Sequence, residues 1–235
     1  SDYNPCHGNT SDLIKSVKSG VLSSGAIPLE FPTITIHESF AHPTSMYLRN
    51  LMSIDTEEML RAQPMDACIL IGGCDKTVPA QLMGGLSSNI PIIQLVTGPM
   101  LTGSYNGERV GACTDCRRFW ASYRAEEIDI KEINKVNNQL VPTVGTCGVM
   151  GTASTMAILT EALGLMIPSG ACAPAVSSER RRIAEKTGIE SVRIAKSNYA
   201  PKKFITLKNI ENALVTLSAI GGSTNGLIHL TAIAG

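Results

Sequence analysis

Apolar residues fall along this chain in two patterns, short unbroken runs and stripes at helical spacing, with turn residues between them. Residues 67–71 are continuously apolar, and Ile90-Pro91-Ile92-Ile93-Gln94-Leu95-Val96 is nearly so. Such runs suit strands covered on both faces in a parallel sheet. A further strand is expected over Phe31-Pro32-Thr33-Ile34-Thr35-Ile36, with Pro32 at its start, where a missing N–H is tolerated. It would deliver His37-Glu38-Ser39 to its carboxyl end. Helical stripes cover 12–17, after the cap residues Gly8-Asn9-Thr10-Ser11 and before Gly20 and Gly25, and then 45–51. The next is 56–61, capped by Asp55 or Thr56, followed by 79–83, ended by Gly84-Gly85. A helix carrying Trp120 follows Cys113-Thr114-Asp115-Cys116, and Asp129 caps 130–140. Later helices are expected over 152–163, from the cap Ser177 to about 186, over 207–220 behind Thr206, and after Gly221-Gly222-Ser223-Thr224-Asn225. Strands alternating with helices predict an α/β fold, a three-layer α/β/α arrangement with a mainly parallel sheet. No repeat or linker divides it, so one domain is expected over 1–235.

Charge narrows the partners. Lys plus Arg and Asp plus Glu both total 20, which favours neither nucleic acid nor an anionic membrane. The run Arg180-Arg181-Arg182, between Glu179 and Glu185, reads as a solvated helix face. Aromatic residues make up 4% of the chain, too few for base-stacking platforms. No apolar stretch approaches the ~20 residues that span a bilayer. No basic-then-apolar leader opens the chain. A soluble, cytoplasmic protein is expected. Ser1 to Cys6 opens inside a turn and 227–235 stops within an apolar helical run, so a piece of a longer chain is also expected.

Seven cysteines are many, and an odd number with irregular spacing argues against a disulfide framework in a chain this long. Cys6, Cys74 and Cys147 each lie in a turn-rich loop ahead of a helix, 68 and 73 residues apart. Helix amino termini carry free N–H groups and partial positive charge, which lower a thiol's pKa and suit an anionic cluster. Such wide spacing is unlike the close pairs of zinc ribbons. Cys113-x-x-Cys116 is the close pair, and it lacks the second pair that zinc requires. Gly72-Gly73-Cys74-Asp75-Lys76 places a thiol, a carboxylate and an amine at the carboxyl end of a strand, where open α/β sheets bind ligands. The bland alternative is a tight turn with one buried Cys and a solvated Asp–Lys pair. The chain holds no G-x-S-x-G, P-loop, G-x-G-x-x-G or H-E-x-x-H pattern. Cys68, inside a strand, reads as core, and Cys172 stays open. His229, on an apolar helix, reads as a satisfied core histidine. Ser223, Thr224 and Asn225 read as a cap, and His7 reads as a neighbour of the Cys6 site.

Three stretches, in this order, carry a resemblance: Gly73-Cys74-Asp75-Lys76-Thr77-Val78-Pro79-Ala80, then Gly145-Thr146-Cys147-Gly148-Val149-Met150-Gly151-Thr152, then Gly221-Gly222-Ser223-Thr224-Asn225 through His229. The chain resembles the dihydroxy-acid/6-phosphogluconate dehydratase family along nearly its whole length, as that family's amino-terminal domain. Residues 31–40 and 107–118 resemble the sugar-acid branch, such as arabinonate or xylonate dehydratases. The resemblance implies a hydro-lyase taking a sugar acid such as arabinonate, xylonate or galactonate to its 2-keto-3-deoxy acid. It implies that Cys6, Cys74 and Cys147 hold a [2Fe–2S] cluster. Three thiolates leave one iron open as a Lewis acid for the departing 3-hydroxyl. Glu38, Asp75 and a carbamylated Lys76 match the family's Mg²⁺ ligands, the ion that stabilises the enolate. Carbamylation needs a neutral amine, so Lys76 is expected where its pKa is depressed. The family's serine base, one further carboxylate ligand and a β-rich domain lie in a carboxyl-terminal half outside this sequence, so this chain alone is expected to be inactive. Homodimers or homotetramers are implied. The alternatives are a dihydroxy-acid dehydratase of branched-chain amino-acid synthesis and a non-catalytic iron–sulfur redox or sensor module.

Overall fold

A computed structural model describes residues 3–112, 114–197, 199 and 201–235. Cys113 therefore lies outside the described residues. The chain begins with helix α1 (Thr10–Ser23), α2 (Arg49–Ala62) and strand β1 (Cys68–Gly72), then α3 (Thr77–Ser88) and β2 (Ile92–Val96). A hairpin of β3 (Gly103–Tyr105) and β4 (Glu108–Val110) leads to α4 (Thr114–Arg124) and α5 (Ile130–Leu140). The remainder is helical: α6 (Thr152–Ala162), α7 (Ser178–Lys196), α8 (Pro201–Phe204), α9 (Leu207–Ala219) and α10 (Asn225–Ala234). No helix among the described residues is long and apolar enough to cross a membrane.

The α/β prediction holds, on a small sheet. β1 and β2 pair in parallel, from Cys68 opposite Ile92 to Gly72 opposite Val96. Alternation along β1 feeds two cores. Cys68 and Leu70 join Val78, Leu82, Met156 and Leu159 on one face. Ile69 and Ile71 pack on the other against Leu13, Val17, Ile183 and Ala184 of α1 and α7. Helices thus cover both sides of the strands, as a buried parallel pair requires.

Residues 31–36 are not a strand. They run extended with no strand partner among the described residues, crossing the molecule as a strap. Phe31 packs on the first core, Ile34 N–H donates to Asp55 Oδ2 at 2.7 Å, and Thr35 bonds Thr77 at 2.8 Å. β-branched residues gave the strand signal, but no strand among the described residues pairs with this segment, and Asp55 takes its Ile34 N–H. The predicted break at 55–56 is also absent, because Asp55 is engaged by the strap and Thr56 Oγ1 donates back to Met52 O within one continuous α2.

Gly25 follows the end of α1 as expected, but Gly20, Gly84 and Gly85 lie inside their helices. A Cβ on Gly84 would stand 2.4 Å from Ser53 O of α2, and one on Gly20 would stand 2.1 Å from Glu185 O of α7. These glycines let helix backbones touch. Arg180 departs furthest from expectation. It is fully buried, donating from Nη1 to Val96 O at 2.9 Å and from Nε to Ala173 O at 3.1 Å. Burial lowers its pKa to about 10, opposed by negative charge at Cys172, Glu179 and Glu161. The hairpin escaped the sequence reading although Asn106-Gly107, both at positive φ, is a strong turn signal.

Candidate functional site

Backbone hydrogen bonds pull three loops together at the carboxyl ends of β1 and β2. Cys6 lies in a 3₁₀ turn whose cap, Asn4, accepts the Cys6 N–H at 3.0 Å. Gly145 N–H donates to Pro5 O at 3.0 Å, joining that turn to the Cys147 loop. Thr146 N–H donates to Gly98 O at 2.9 Å and Thr97 N–H to Gly72 O at 3.0 Å, tying both to the strand ends. Gly73 N–H donates to His7 Nε2 at 2.8 Å. Nε2 also lies 3.1 Å from Gly73 O, and Nδ1 lies 3.3 Å from Thr35 Oγ1, so the ring is held at both nitrogens. Burial keeps His7 neutral, with its pKa lowered to about 4. Its place beside Cys6 in sequence therefore has a structural counterpart, a clamp on the Cys74 loop.

Gly72 and Gly73 are required for space, since a Cβ on Gly73 would stand 2.1 Å from Thr97 Oγ1. The sharp turn falls on the next residue, because Cys74 itself takes φ 76°. That turn brings its thiol to Cys6. Donor atoms of Cys6, Cys74 and His37 all lie within 4.8 Å of one another. Cys147 is not in that group, but its charge acts on Cys6. The Cys6 thiol is pushed strongly upward by its hydrogen bond with Cys74, by burial and by neighbouring negative charge. This reverses the expected lowering at a helix start. Two buried thiols in contact do not both ionise without a cation between them. His37 was not anticipated as a site residue. Its signal in the sequence was its place beside Glu38.

The strap leads on to Glu38, which meets the same turn at Lys76. Thr44 Oγ1 donates to Glu38 Oε1 at 2.7 Å, and Ser45 donates to Oε2 through its N–H at 3.0 Å and through its hydroxyl. Lys76 Nζ lies 3.0 Å from Glu38 Oε2 and 2.7 Å from Asp75 Oδ2, and its side chain is only 3% exposed. The solvated Asp–Lys reading is thereby overturned. Burial works to raise the Glu38 pKa, but Ser45, Thr44 and Lys76 outweigh it and bring the carboxyl to about 2. Burial likewise pulls Lys76 down, but Asp75 and Glu38 outweigh it and raise the amine. The expected depression of Lys76 is therefore absent. Its ammonium is the counter-charge of two carboxylates, standing where a bound cation would stand.

The donor set fits two kinds of metal group. Soft thiols from Cys6 and Cys74, with Cys147 near, could hold iron and sulfide. Hard oxygens of Glu38 and Asp75, already gathered about a positive charge, could hold a divalent ion. Beside the thiol loops, a cavity of about 340 Å³ is lined by Gly73, Met100, Thr146, Val149 and Cys172. Cys68 is core, Cys116 packs with the hairpin, and Cys172 is exposed. His229 is fully buried as expected, but not fully satisfied, since its Nε2 has no partner among the described residues. Thr152 and Asn225 bond across Ser223 and join the starts of α6 and α10.

A family model described as dihydroxy-acid/6-phosphogluconate dehydratase, N-terminal, matches residues 1–235. The chain is 44% identical over 235 residues to an L-arabinonate dehydratase of Rhizobium leguminosarum bv. trifolii, covering all of this chain and 41% of that protein. It is 40% identical over 234 residues to a D-xylonate dehydratase of Caulobacter vibrioides, covering all of this chain and 39% of that one. A dihydroxy-acid dehydratase of Clostridium botulinum is 37% identical over 235 residues, covering 98% of this chain and 42% of that protein. The chain thus spans about two fifths of the length of these relatives.

Proposed function

We propose, from the premise that the chain belongs to the dihydroxy-acid/6-phosphogluconate dehydratase family, that it is the metal-binding part of a hydro-lyase acting on a sugar acid. The reaction removes the C2 proton and the C3 hydroxyl, and the resulting enol becomes a 2-keto-3-deoxy acid. Cys6, Cys74 and Cys147 would hold a [2Fe–2S] cluster, and Glu38, Asp75 and carbamylated Lys76 would hold Mg²⁺. When bound, these groups supply Lewis acidity toward the leaving hydroxyl and toward the substrate's carboxylate end. The observation that carries this reading is how one turn joins two donor sets. Cys74 reaches Cys6, Asp75 lies between the Cys74 thiol at 3.2 Å and Lys76 Nζ at 2.7 Å, and Lys76 reaches on to Glu38. Adjacent residues thereby fix the spacing of two centres, so that one substrate can reach both.

The chain's own part is positioning. The left-handed Cys74 brings its thiol to Cys6 while Asp75, beside that thiol, also meets Lys76. Thr44 and Ser45 orient the Glu38 carboxylate and keep it ionised. His7 pins the Gly73 amide. The proton-abstracting base is assigned to the remainder of the protein, together with one more carboxylate ligand. Higher identity to arabinonate and xylonate dehydratases than to the dihydroxy-acid dehydratase supports a sugar acid as substrate.

The test uses the full-length protein prepared without oxygen. About two irons and two sulfides per chain are expected, with turnover of arabinonate, xylonate or galactonate above 2,3-dihydroxy-isovalerate. Cys74→Ser should lose both colour and activity. A colourless active enzyme, or a coloured active Cys74→Ser variant, would overturn the cluster assignment. Reversible redox chemistry with no dehydration of any of these acids would favour a sensor instead.

A further inference from the structure

On helices that pack against α3, just past Lys76, stands a histidine–arginine pair that none of these roles uses. His229, on α10, is fully shielded from solvent, and its Nδ1 lies 3.1 Å from Arg49 Nη1 at the start of α2. A guanidinium only donates, so Nδ1 accepts. Burial first, and then the positive charges of Arg49 and Lys76, keep the ring neutral with a pKa of about 4, so its one proton sits on Nε2. That Nε2–H has no acceptor among the described residues, and neither has Arg49 Nε–H. Buried donors are nearly always paired. Two orphaned donors on touching side chains, one of them cationic, call for an anionic acceptor.

Location identifies that acceptor. Helix α10 packs on α3, whose first turn directly follows Lys76, and His229 is near enough to feel the charges of both Lys76 and Asp75. Both His229 and Lys76 are closed to solvent, which favours an acceptor carried on a neighbouring side chain over a freely entering solute. We propose that the Arg49–His229 pair receives one oxygen of a carbamate formed on Lys76, with His229 Nε2–H donating and Arg49 fixing the tautomer. This rests on the reading of Lys76 as a carbamylated ligand. The Lys76 ammonium first gives up one proton to water; the neutral amine then adds to CO₂, an N–C bond forms, one C=O electron pair moves to oxygen, and a second proton passes from nitrogen to water. The lysine changes from cation to anion. One carbamate oxygen would then be available, with Glu38 and Asp75, to hold a divalent ion. The other would be a buried anion without a partner, a costly state that the two orphaned donors relieve. Arg49 and His229 are positioning residues in this account.

The test reads the carbamate directly. Full-length protein with Mg²⁺ and ¹³C-bicarbonate should give a ¹³C carbamate resonance that Lys76→Ala lacks. At the same bicarbonate, His229→Leu should lose about tenfold or more of that signal, the loss expected for one hydrogen bond to a charged group. Excess bicarbonate should restore it, and iron and sulfide per chain should stay at wild-type levels. His229→Gln, which keeps a donor, should recover part of the signal. Arg49→Met, at a less buried position, should lower it as well and serves if His229→Leu does not fold. An undiminished signal in the folded Leu or Met variant overturns the proposal. Wild-type protein with no carbamate signal overturns the carbamylation reading and this inference with it.

Discussion

Cys74 holds a backbone conformation, φ 76°, that side chains other than glycine, asparagine and aspartate rarely adopt. The residue before it is glycine because Thr97 leaves no room, not because the left-handed turn is there. The left-handed residue therefore carries the thiol, and its strain is the cost of aiming that thiol at Cys6. Cys74→Gly and Cys74→Ala both remove the sulfur, but only glycine relaxes the backbone. The glycine variant should be the more stable by about 1 kcal/mol in urea unfolding, and both should bind no cluster. Equal stability would show that φ at this position is not strained. The Cys-Asp-Lys triplet was legible as chemistry because three reactive types follow two glycines. Which of the five residues would carry the positive φ was not, since the collision that settles the Gly73 position comes from Thr97, 24 positions away.

At the scale of elements, close backbone contact replaces side-chain packing at two helix crossings. α1 and α7 meet through Gly20 and Gly188, and a Cβ on Gly188 would stand 2.3 Å from Val17 O. Gly20→Ala improves local helix propensity yet meets a carbonyl that belongs to another helix. A net loss of about 1–3 kcal/mol is expected, as for overpacked cores, measured as a lower urea midpoint. Iron per chain should be unchanged, because this crossing lies away from the thiol loops. A stabilised variant would mean that the helices separate at little cost. Sequence alone assigned Gly20, like Gly84, to a helix end, since glycine is the commonest helix terminator. Only the partner helix reveals why a helix interior tolerates it. Arg180 follows the same logic. Its neighbours in sequence mark it as solvated, while the carbonyls of Val96 and Ala173 make it an internal tie.

For the whole molecule, stability should depend on two buried neutral histidines, His7 and His229. Each has an ordinary pKa of 6.5 and a folded value of about 4. Between these values the unfolded chain binds more protons than the folded one, so stability rises with pH across this window. The contribution is complete above about pH 6.5 and is lost as pH falls toward 4. Each shift corresponds to about 3 kcal/mol at most. Urea midpoints measured from pH 7 to 4 should fall across this range. His7→Gln, which can still accept the Gly73 N–H, should flatten the fall. A midpoint unchanged between pH 6.5 and 4 would show that neither ring is held neutral.

Local pattern determined the alternation of strands and helices, the caps at Asp129 and Ser177, and the three cysteine loops ahead of helices, because each depends on residues within a turn or two of one another. The strap at 31–36 escaped it, because extended backbone becomes a strand only when a neighbour pairs with it. Arg180 escaped it because burial is decided by what packs above. The proposal that one turn serves two centres came from matching Cys74-Asp75-Lys76 to a family. The turn's electrostatics were decided by the fold alone. Cys6 and Cys74 press together and raise a thiol that a lone helix end would have lowered, and Glu38 arrives on a strap to hold Lys76 as an ammonium. Both effects are through-space interactions between segments far apart in sequence, and no local spacing encodes them.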